Sequence, residues 1–423
     1  MHCRGCKWLS VIFLLVAGIN QTTAQEVYSL ERCITTGLER NYGLRIFRNA
    51  EKVARNNATP GNAGYLPSLE VEGILSDGAW IDAGLSLNWT LFDGFAIQAT
   101  YTRLKELQAI GVLRTKQAIE DFMAEIAGEY YNLIRQQTRF NNVRTSFELS
   151  KERLRIVEQR YKIGSMSRLD LQQAQVDFNA DSSSVLTQRE AVHRCRIRLN
   201  ELMALEDVET ATVPADSAID LRCALGNEEE LWANTLAANT GLLQTEGERR
   251  VSELEYQRLR GRNYPYLKAT AGYGYSAQWD KLKGFKTGAG LNYGLTLGMT
   301  LFDGLNRRRE QRNARLEIEN SNWRYADLEL SLRADLSNLW MAYQNNRDLC
   351  NLERTNALVA QEYYAIAIDR YRLGDLSGIE LREAQNKLLD AEERRSIVEY
   401  NTKLCEISLL RLSGRIVEIW KQE

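Results

Sequence analysis

Leu85-Ser86-Leu87-Asn88-Trp89-Thr90-Leu91-Phe92-Asp93-Gly94 is written again, in outline, as Leu295-Thr296-Leu297-Gly298-Met299-Thr300-Leu301-Phe302-Asp303-Gly304. In both stretches an apolar residue alternates with a small or polar one, and both close on Leu-Phe-Asp-Gly, a shift of 210 positions (301 minus 91). Period two with one greasy and one polar face predicts a strand with lipid on one side and water on the other. The same shift lays Arg160-Tyr161-Lys162-Ile163-Gly164 on Arg370-Tyr371-Arg372-Leu373-Gly374, and Ala174-Gln175 on Ala384-Gln385. The chain therefore reads as an internal duplication.

Upstream the offset changes. Leu38, Asn41, Leu44 and Pro67 match Leu236, Asn239, Leu242 and Pro265 at a shift of 198, so the second copy holds 12 extra residues (210 minus 198) between its Pro and its Leu-Phe-Asp-Gly. That insertion predicts a longer hairpin loop. Each copy reads as half helix, two strands, long helix, tight turn and half helix. The expected divisions are repeat 1 over 25–205, with a β-hairpin at about 66–92 and a turn at about 164–168, and a linker over 206–227. Repeat 2 follows over 228–415, with its hairpin at about 265–302, its turn at about 374–378, and a tail over 416–423.

After each Asp-Gly a charged amphipathic pattern runs unbroken, from about Phe95 to Ile163 and from about Leu305 to Leu373. Some 69 residues at 1.5 Å each make a helix on the order of 100 Å long. Two shorter patterns, about Val27 to Gly61 and Leu169 to Leu205, would together span the same length. Apolar residues at three- and four-residue spacing, such as Leu154, Val157 and Tyr161 with Tyr364, Ala367 and Tyr371, mark coiled-coil seams. Only four prolines are present, all outside the longest helical patterns.

Residues 1–24 read as a secretory signal peptide: Arg4 and Lys7, an apolar run from Trp8 to Ala17, then Thr22 and Ala24 before Gln25. No later apolar run is long enough for a membrane helix. Four strands cannot close a barrel in lipid, so the chain is expected to share one with copies of itself. The fold class is an α+β membrane protein, internally duplicated, with long coiled-coil helical hairpins and four β-strands per protomer contributing to a shared barrel.

Composition removes other classes. A net charge of -2 lacks the basic footprint of a nucleic-acid binder. With one histidine after the signal segment, no metal-ligand spacing and no nucleophile elbow, the parts of a hydrolase are missing, so no enzyme, cofactor or metal is expected. Gly272-x-Gly274 and Gly288-Ala289-Gly290 precede no phosphate-binding helix. Cys33, Cys195, Cys223, Cys350 and Cys405 are too scattered for a disulfide framework.

At the turns, Gly164 and Gly374 stand where a helix takes a left-handed residue just past its end. Ser167-x-x-Asp170 and Ser377-x-x-Glu380 then restart the next helix with capping boxes. With the duplication, the paired Leu-Phe-Asp-Gly and the paired Tyr-x-x-Gly-x-x-Ser turns, the sequence resembles the TolC-like outer-membrane efflux protein family over essentially the whole chain after the signal segment.

The resemblance implies a homotrimer with one shared twelve-strand barrel in outer-membrane lipid. It also implies a helical tunnel across the periplasm, ending in a closable mouth. The chain would be the passive duct of a tripartite efflux or type I secretion system, its helix tips meeting a periplasmic adaptor and, through it, an inner-membrane pump. By position the docking candidates are Arg160, Tyr161, Gly164 and Ser167 with Arg370, Tyr371, Gly374 and Ser377. Some relatives narrow the lower mouth with acidic residues six and nine positions after the second tip glycine; here these are Glu380 and Glu383, where the first copy has Asp170 and Gln173. The competing expectation is a soluble periplasmic coiled-coil scaffold or adaptor, against which the apolar strand faces argue. Arg307 to Arg309 open the second long helix beside the expected barrel rim, where a solvated or headgroup-facing cluster is usual.

Overall fold

A computed structural model describes residues 26–76, 80–221, 225–280 and 284–417. The expected signal peptide, the last six residues of the chain and part of the linker lie outside the described residues. In chain order the elements are β1 (Glu26–Tyr28), α1 (Leu30–Arg40), α2 (Tyr42–Asn57), α3 (Pro60–Ala63), β2 (Ser68–Ser76), β3 (Trp80–Phe92), α4 (Ala96–Lys162) and α5 (Arg168–Leu202). They continue with β4 (Thr212–Pro214), α6 (Glu228–Ala238), α7 (Thr240–Gly261), β5 (Tyr266–Asp280), β6 (Gly284–Gly298), α8 (Asn306–Leu373) and α9 (Gly378–Leu412). The protein is α+β, and its long helices α4 and α8, of 67 and 68 residues, carry no proline.

Two compact units divide the chain: Met1–Gly37 with Glu129–Ile219, and Leu38–Gly128 with Asp220–Glu423. In the first, β1 pairs in parallel with β4, setting Val27 against Val213. This two-stranded sheet was not anticipated, because three-residue strands leave no readable period. Polar side chains fix it: Asn200 donates to the carbonyls of Val208 (2.8 Å) and Thr210 (2.9 Å) and accepts from the Thr212 hydroxyl (2.6 Å). Buried Tyr130 donates to Asp216 Oδ2 at 2.7 Å. Where α4 packs on α5 the seam is polar as well: Arg153 pairs with Asp177, Ser150 and Ser146 donate to Asp181, and Gln188 donates to Gln136 Oε1 at 2.7 Å.

The second unit holds the sheet and the α8–α9 hairpin. Its main core gathers Leu231, Leu336, Leu409 and Leu410, each fully or almost fully buried, with burial of each side chain contributing about 1.5–3 kcal/mol. Two expectations need correction here. The first half-helix pattern, about Val27 to Gly61, is not one helix, because the chain breaks at Asn41, whose Oδ1 accepts from Leu44 N at 3.1 Å. Asn239, its counterpart at a shift of 198, does the same between α6 and α7, accepting from Gly241 N and Leu242 N. An asparagine side chain that satisfies the amides of a new first turn favours a cap over helix continuation.

The second correction concerns the insertion. Ser76 of β2 pairs with Trp80 of β3 and Asp280 of β5 pairs with Gly284 of β6, so the last described pairs of the two hairpins are the same distance apart in the chain. The extra residues instead lengthen the paired strands, from 9 and 13 residues to 15 and 15, while Met299–Phe302, which the shift of 210 lays on Trp89–Phe92 at the end of β3, fall outside β6. The alternating pattern continues through both strands, so the added length pairs rather than looping out, with register held to Asp280↔Gly284.

The Leu-Phe-Asp-Gly corners turn strand into helix. Asp93 Oδ1 accepts from Ile97 N at 3.0 Å, and Asp303 Oδ2 accepts from Arg307 N at 3.0 Å and from Arg307 Nε at 3.1 Å. Gly94 (φ 71) with Phe95 (φ 72), and Gly304 (φ 69) with Leu305 (φ 66), form two consecutive left-handed residues in each corner. The corners differ in crowding: a Cβ on Gly94 would lie 2.2 Å from Gly261 O, whereas one on Gly304 would come no nearer than 3.7 Å to a neighbour. Gly94→Ala should therefore cost about 3 kcal/mol or more. Gly304→Ala should cost only the left-handed penalty of about 1–2 kcal/mol. Thermal unfolding followed by circular dichroism checks the order.

Glu120 of α4 is buried, accepts from Thr240 Oγ1 at 3.0 Å beside the first turn of α7, and has Lys116 at 3.6 Å. Burial outweighs both partners and raises its carboxyl above the ordinary 4.5. The folded chain thus binds this proton more tightly than the unfolded chain, and stability declines as pH rises from 4.5 through the raised value. In Glu120→Gln that decline should flatten, with the variant at least as stable as the parent at about pH 8, as melting curves across pH will measure.

Candidate docking tips and membrane face

The four strands form one antiparallel sheet in the order β2-β3-β5-β6. Cross-strand register builds rows of one chemistry. Val71, Leu85, Tyr273 and Leu291 lie side by side, and so do Glu70, Ser86, Gly272 and Asn292 one step along. The first face is apolar and open: Val71 is 81% exposed, Tyr293 85% and Leu297 74%. The second is small and polar, with Gly84, Gly274 and Gly290 in one row beside Glu72. Trp89 closes the lower end of β3 by donating Nε1–H to Tyr65 O at 2.8 Å. One long edge of β2 and one of β6 have no partner strand among the described residues. No described helix is long and apolar enough to cross a membrane.

The turn after α4 is a Schellman closure. Gly164 (φ 77) donates to Tyr161 O at 3.0 Å and Ser165 N to Arg160 O at 2.9 Å. Ser167 then caps α5: its Oγ accepts from Asp170 N at 3.2 Å while its own N–H donates to Asp170 Oδ2 at 3.1 Å. The turn after α8 repeats this. Gly374 (φ 89) donates to Tyr371 O at 3.1 Å and Asp375 N to Arg370 O at 3.0 Å, and Ser377 and Glu380 form the same reciprocal pair. A Cβ on Gly164 or Gly374 would meet nothing within 4 Å, so the glycines are there for their backbone angle.

The tip candidates consequently separate into groups. Gly164, Gly374, Ser167 and Ser377 are accounted for by the turn itself. Arg160 is half-buried and Arg370 exposed. Tyr161 is open, whereas Tyr371 packs against Ala367, Leu381 and Ala384 with its hydroxyl buried and unpartnered among the described residues. Four aliphatic side chains at the same turns escaped the sequence reading: Ile163 at 79% exposure, Leu169, Leu373 and Ile379. Their signal was available, since each pair is related by the shift of 210, but at helix ends they merge into the amphipathic pattern.

Glu380 and Glu383 are both exposed on the first turns of α9. The backbone N–H of Ser377, 2.9 Å from Glu380 Oε2, and then the Ser377 hydroxyl hold that carboxyl below the ordinary range. Glu383 is paired with Lys387 at 2.8 Å. The described cysteines Cys33, Cys195, Cys350 and Cys405 are free, and burial raises their thiols, Cys33 to about 12, away from thiolate chemistry.

Comparison with known proteins agrees with this architecture. The family of outer membrane efflux proteins matches residues 34–205 and 231–415. The chain is 20% identical to the outer membrane efflux protein BepC of Brucella suis over 98% of its own length and 91% of that protein. Its fold is similar to the crystal structure of the Campylobacter jejuni CmeC outer membrane channel, with a TM-score of 0.80 at 15% identity, covering 92% of this chain and 86% of that one. It is likewise similar to the crystal structure of a membrane protein from Pseudomonas aeruginosa, with a TM-score of 0.78 at 18% identity, covering 91% and 93%. With the family matched over most of its length, the chain belongs to the outer membrane efflux proteins.

Proposed function

We propose that this protein is the outer-membrane channel of a tripartite efflux system, in which three copies share one twelve-strand barrel and continue it as a helical tunnel through the periplasm. The observation that carries the reading is the four-stranded sheet, apolar on one face, small and polar on the other, and open along β2 and β6. A polar, glycine-rich face suits a water-filled lumen, and the open edges suit pairing of β6 in one copy with β2 in the next.

Helices next to those edges in the chain support the same assembly. On α8, Leu316, Trp323 and Leu330 are exposed at intervals of seven, and on α2 Tyr42, Ile46 and Val53 are exposed at intervals of four and seven. Each set keeps to one helix face. The α8 stripe of one copy would seat on the α2 stripe of the next, since α8 follows β6 and α2 precedes β2 in the chain. A soluble scaffold is not favoured, because the sheet would expose its apolar face to water.

At the lower end, the turns at Gly164 and Gly374 are proposed as the docking points for a periplasmic adaptor, through Arg160, Tyr161, Arg370 and the exposed aliphatics beside them. Tyr371 serves from behind, as packing. Glu380 and Glu383 of three copies would ring the mouth. Glu380 supplies most of the negative field there, because Lys387 balances Glu383.

Three measurements test the reading. The intact protein should leave membranes only with detergent, as a trimer, and form conducting pores in a planar bilayer; release by salt washing as a monomer would refute it. Trp323→Asp should cost about 3–5 kcal/mol per interface and convert trimer to monomer in native electrophoresis with helix content kept. Glu380→Gln with Glu383→Gln should lower cation preference in single-channel recordings; unchanged selectivity would remove these residues from the mouth.

A further inference from the structure

Two helix joints inside the second unit correspond under the duplication. Ala54 Cβ of α2 lies 3.2 Å from where a Cβ on Gly111 of α4 would stand. Shifts of 198 and 210 carry these residues to Ser252 and Ser321, whose hydroxyls meet at 3.1 Å between α7 and α8. The α2–α4 and α7–α8 joints are therefore one contact, written twice in the same register.

A third joint, α4 on α7, fastens the repeats to each other. Thr240 Oγ1 donates to Glu120 Oε2 at 3.0 Å and Gln244 Nε2 to Gln117 Oε1 at 2.7 Å. Arg114 donates to Glu248 Oε1 at 3.2 Å and Arg250 Nε to Glu106 Oε2 at 3.1 Å. A Cβ built on Gly247 would stand 2.9 Å from Ile110 Cγ1. Residue numbers rise on one helix as they fall on the other, so the pair is antiparallel. The contacts run from α2 to α4, α4 to α7 and α7 to α8.

The duplication implies a fourth joint, in which α8 stands for α4 and α2 of another copy stands for α7. The same shifts turn Glu106, Leu113 and Glu120 into Leu316, Trp323 and Leu330. They turn Thr240, Gln244 and Val251 into Tyr42, Ile46 and Val53. These are the exposed stripes of α8 and α2. In the α4–α7 register they meet: Leu330 falls at Tyr42, Leu316 at Lys52 beside Val53, and Trp323 between the levels of Ile46 and Asn49.

The charges of this joint are reversed. Over 103–120 α4 has four basic and two acidic residues, net +2, and over 240–255 α7 has two and four, net -2. In the matching stretches α8 over 313–330 has two and four, net -2, and α2 over 42–57 has four and one, net +3. Either joint sets opposite fields together, whereas α8 on a neighbour's α7, or α4 on a neighbour's α2, would set like against like. Lys52 and Glu319, one turn from Leu316, are both exposed and have no ion pair among the described residues. Apolar burial is added where it is needed. Helices of one chain are already tethered, while separate copies lose translational and rotational freedom on joining, a cost that the stripes offset.

We propose that the contact between copies reproduces the α4–α7 joint in register, with Asn320 of one copy on Asn49 of the next, and that its apolar stripes and reversed charges select a second copy of this chain. The proposal rests on the trimer reading above and gives its subunit contact residue by residue. Such a contact joins unlike faces and closes as a ring.

Oxidation of the full-length protein in isolated membranes tests the register. Asn49→Cys with Asn320→Cys, at the places of Gly247 and Ile110, should link about half of the chains or more into dimer and trimer bands on non-reducing gels. The parent, and Asn49→Cys with Asn313→Cys two turns away, should link at most about one tenth as much. Charge selection has a separate measurement that needs no cysteine. Lys52→Glu should lower the trimer fraction in low-salt native electrophoresis about threefold, and adding Glu319→Lys should restore it. A trimer in which Asn49→Cys links no better to Asn320→Cys than to Asn313→Cys overturns the register while leaving the trimer standing. A trimer fraction unmoved by Lys52→Glu, or not restored by Glu319→Lys, overturns the charge selection. A parent protein that is monomeric in mild detergent sinks the trimer reading and this contact with it.

Discussion

In hydrocarbon a backbone amide or carbonyl without a partner costs several kcal/mol, and β2 and β6 each present a row of them along one edge. Water could satisfy those rows, but water is what the outward face of this sheet is built to avoid, with Val71, Leu85, Tyr273 and Leu291 in line across it. In the proposed trimer both requirements are met, because the β6 edge of one copy pairs with the β2 edge of the next. The rest of the chain conforms to that geometry: each corner must deliver a helix directly beneath its strand, which is what the aspartate caps and the paired left-handed residues at 94–95 and 304–305 accomplish.

The corners also explain why Leu-Phe-Asp-Gly is written twice. Asp is needed to receive the first free amides of a very long helix, and Gly to take the first of two left-handed angles. Phe95 and Leu305 accept the second at about 1–2 kcal/mol each, a strain carried because the surrounding turn leaves no alternative path. At Gly94 the approach of the Gly261 carbonyl adds a second reason, since no side chain would fit there. The motif is thus a backbone requirement, and its chemistry is structural.

What could be read from the sequence follows the length of the pattern. Strands of 9 to 15 residues and helices of 67 and 68 residues repeat their period often enough to be recognised, and Ser167 with Asp170 and Ser377 with Glu380 announce their caps by spacing alone. The β1–β4 pairing could not be read, because three residues do not make a period and their partners lie 186 positions apart (212 minus 26). Asn41 and Asn239 were visible as a matched pair but not as breaks, since an asparagine in a long polar pattern is as compatible with a solvated helix face as with a cap. The exposed aliphatics of the tips were hidden for a related reason: a pattern shows which residues are apolar, and only the fold shows which of these are left uncovered.

The same shift that relates the two hairpins also shows how far their seams have diverged. Arg153 and Asp177 form a buried ion pair between α4 and α5; the corresponding residues between α8 and α9 are Tyr363 and Lys387, whose ammonium lies 5.5 Å from the ring centroid and also pairs with Glu383. Ser150 and Asp181, hydrogen-bonded in the first hairpin, correspond to Ala360 and Ala391. A buried, directional network tolerates one register, because a slip of one turn strands a charge in the seam at a cost of several kcal/mol. The seam of Ala367, Ala384 and Ala391 is packed from small side chains, and the ion pairs that cross it, Arg354 with Glu399 and Arg394 with Glu353, keep their guanidiniums half-exposed, so a displacement there strands less charge than in the first hairpin. The two hairpins thus share a backbone design but differ in what a relative displacement of their helices would cost, and that difference lies with four side-chain positions whose chemistry the duplication did not preserve.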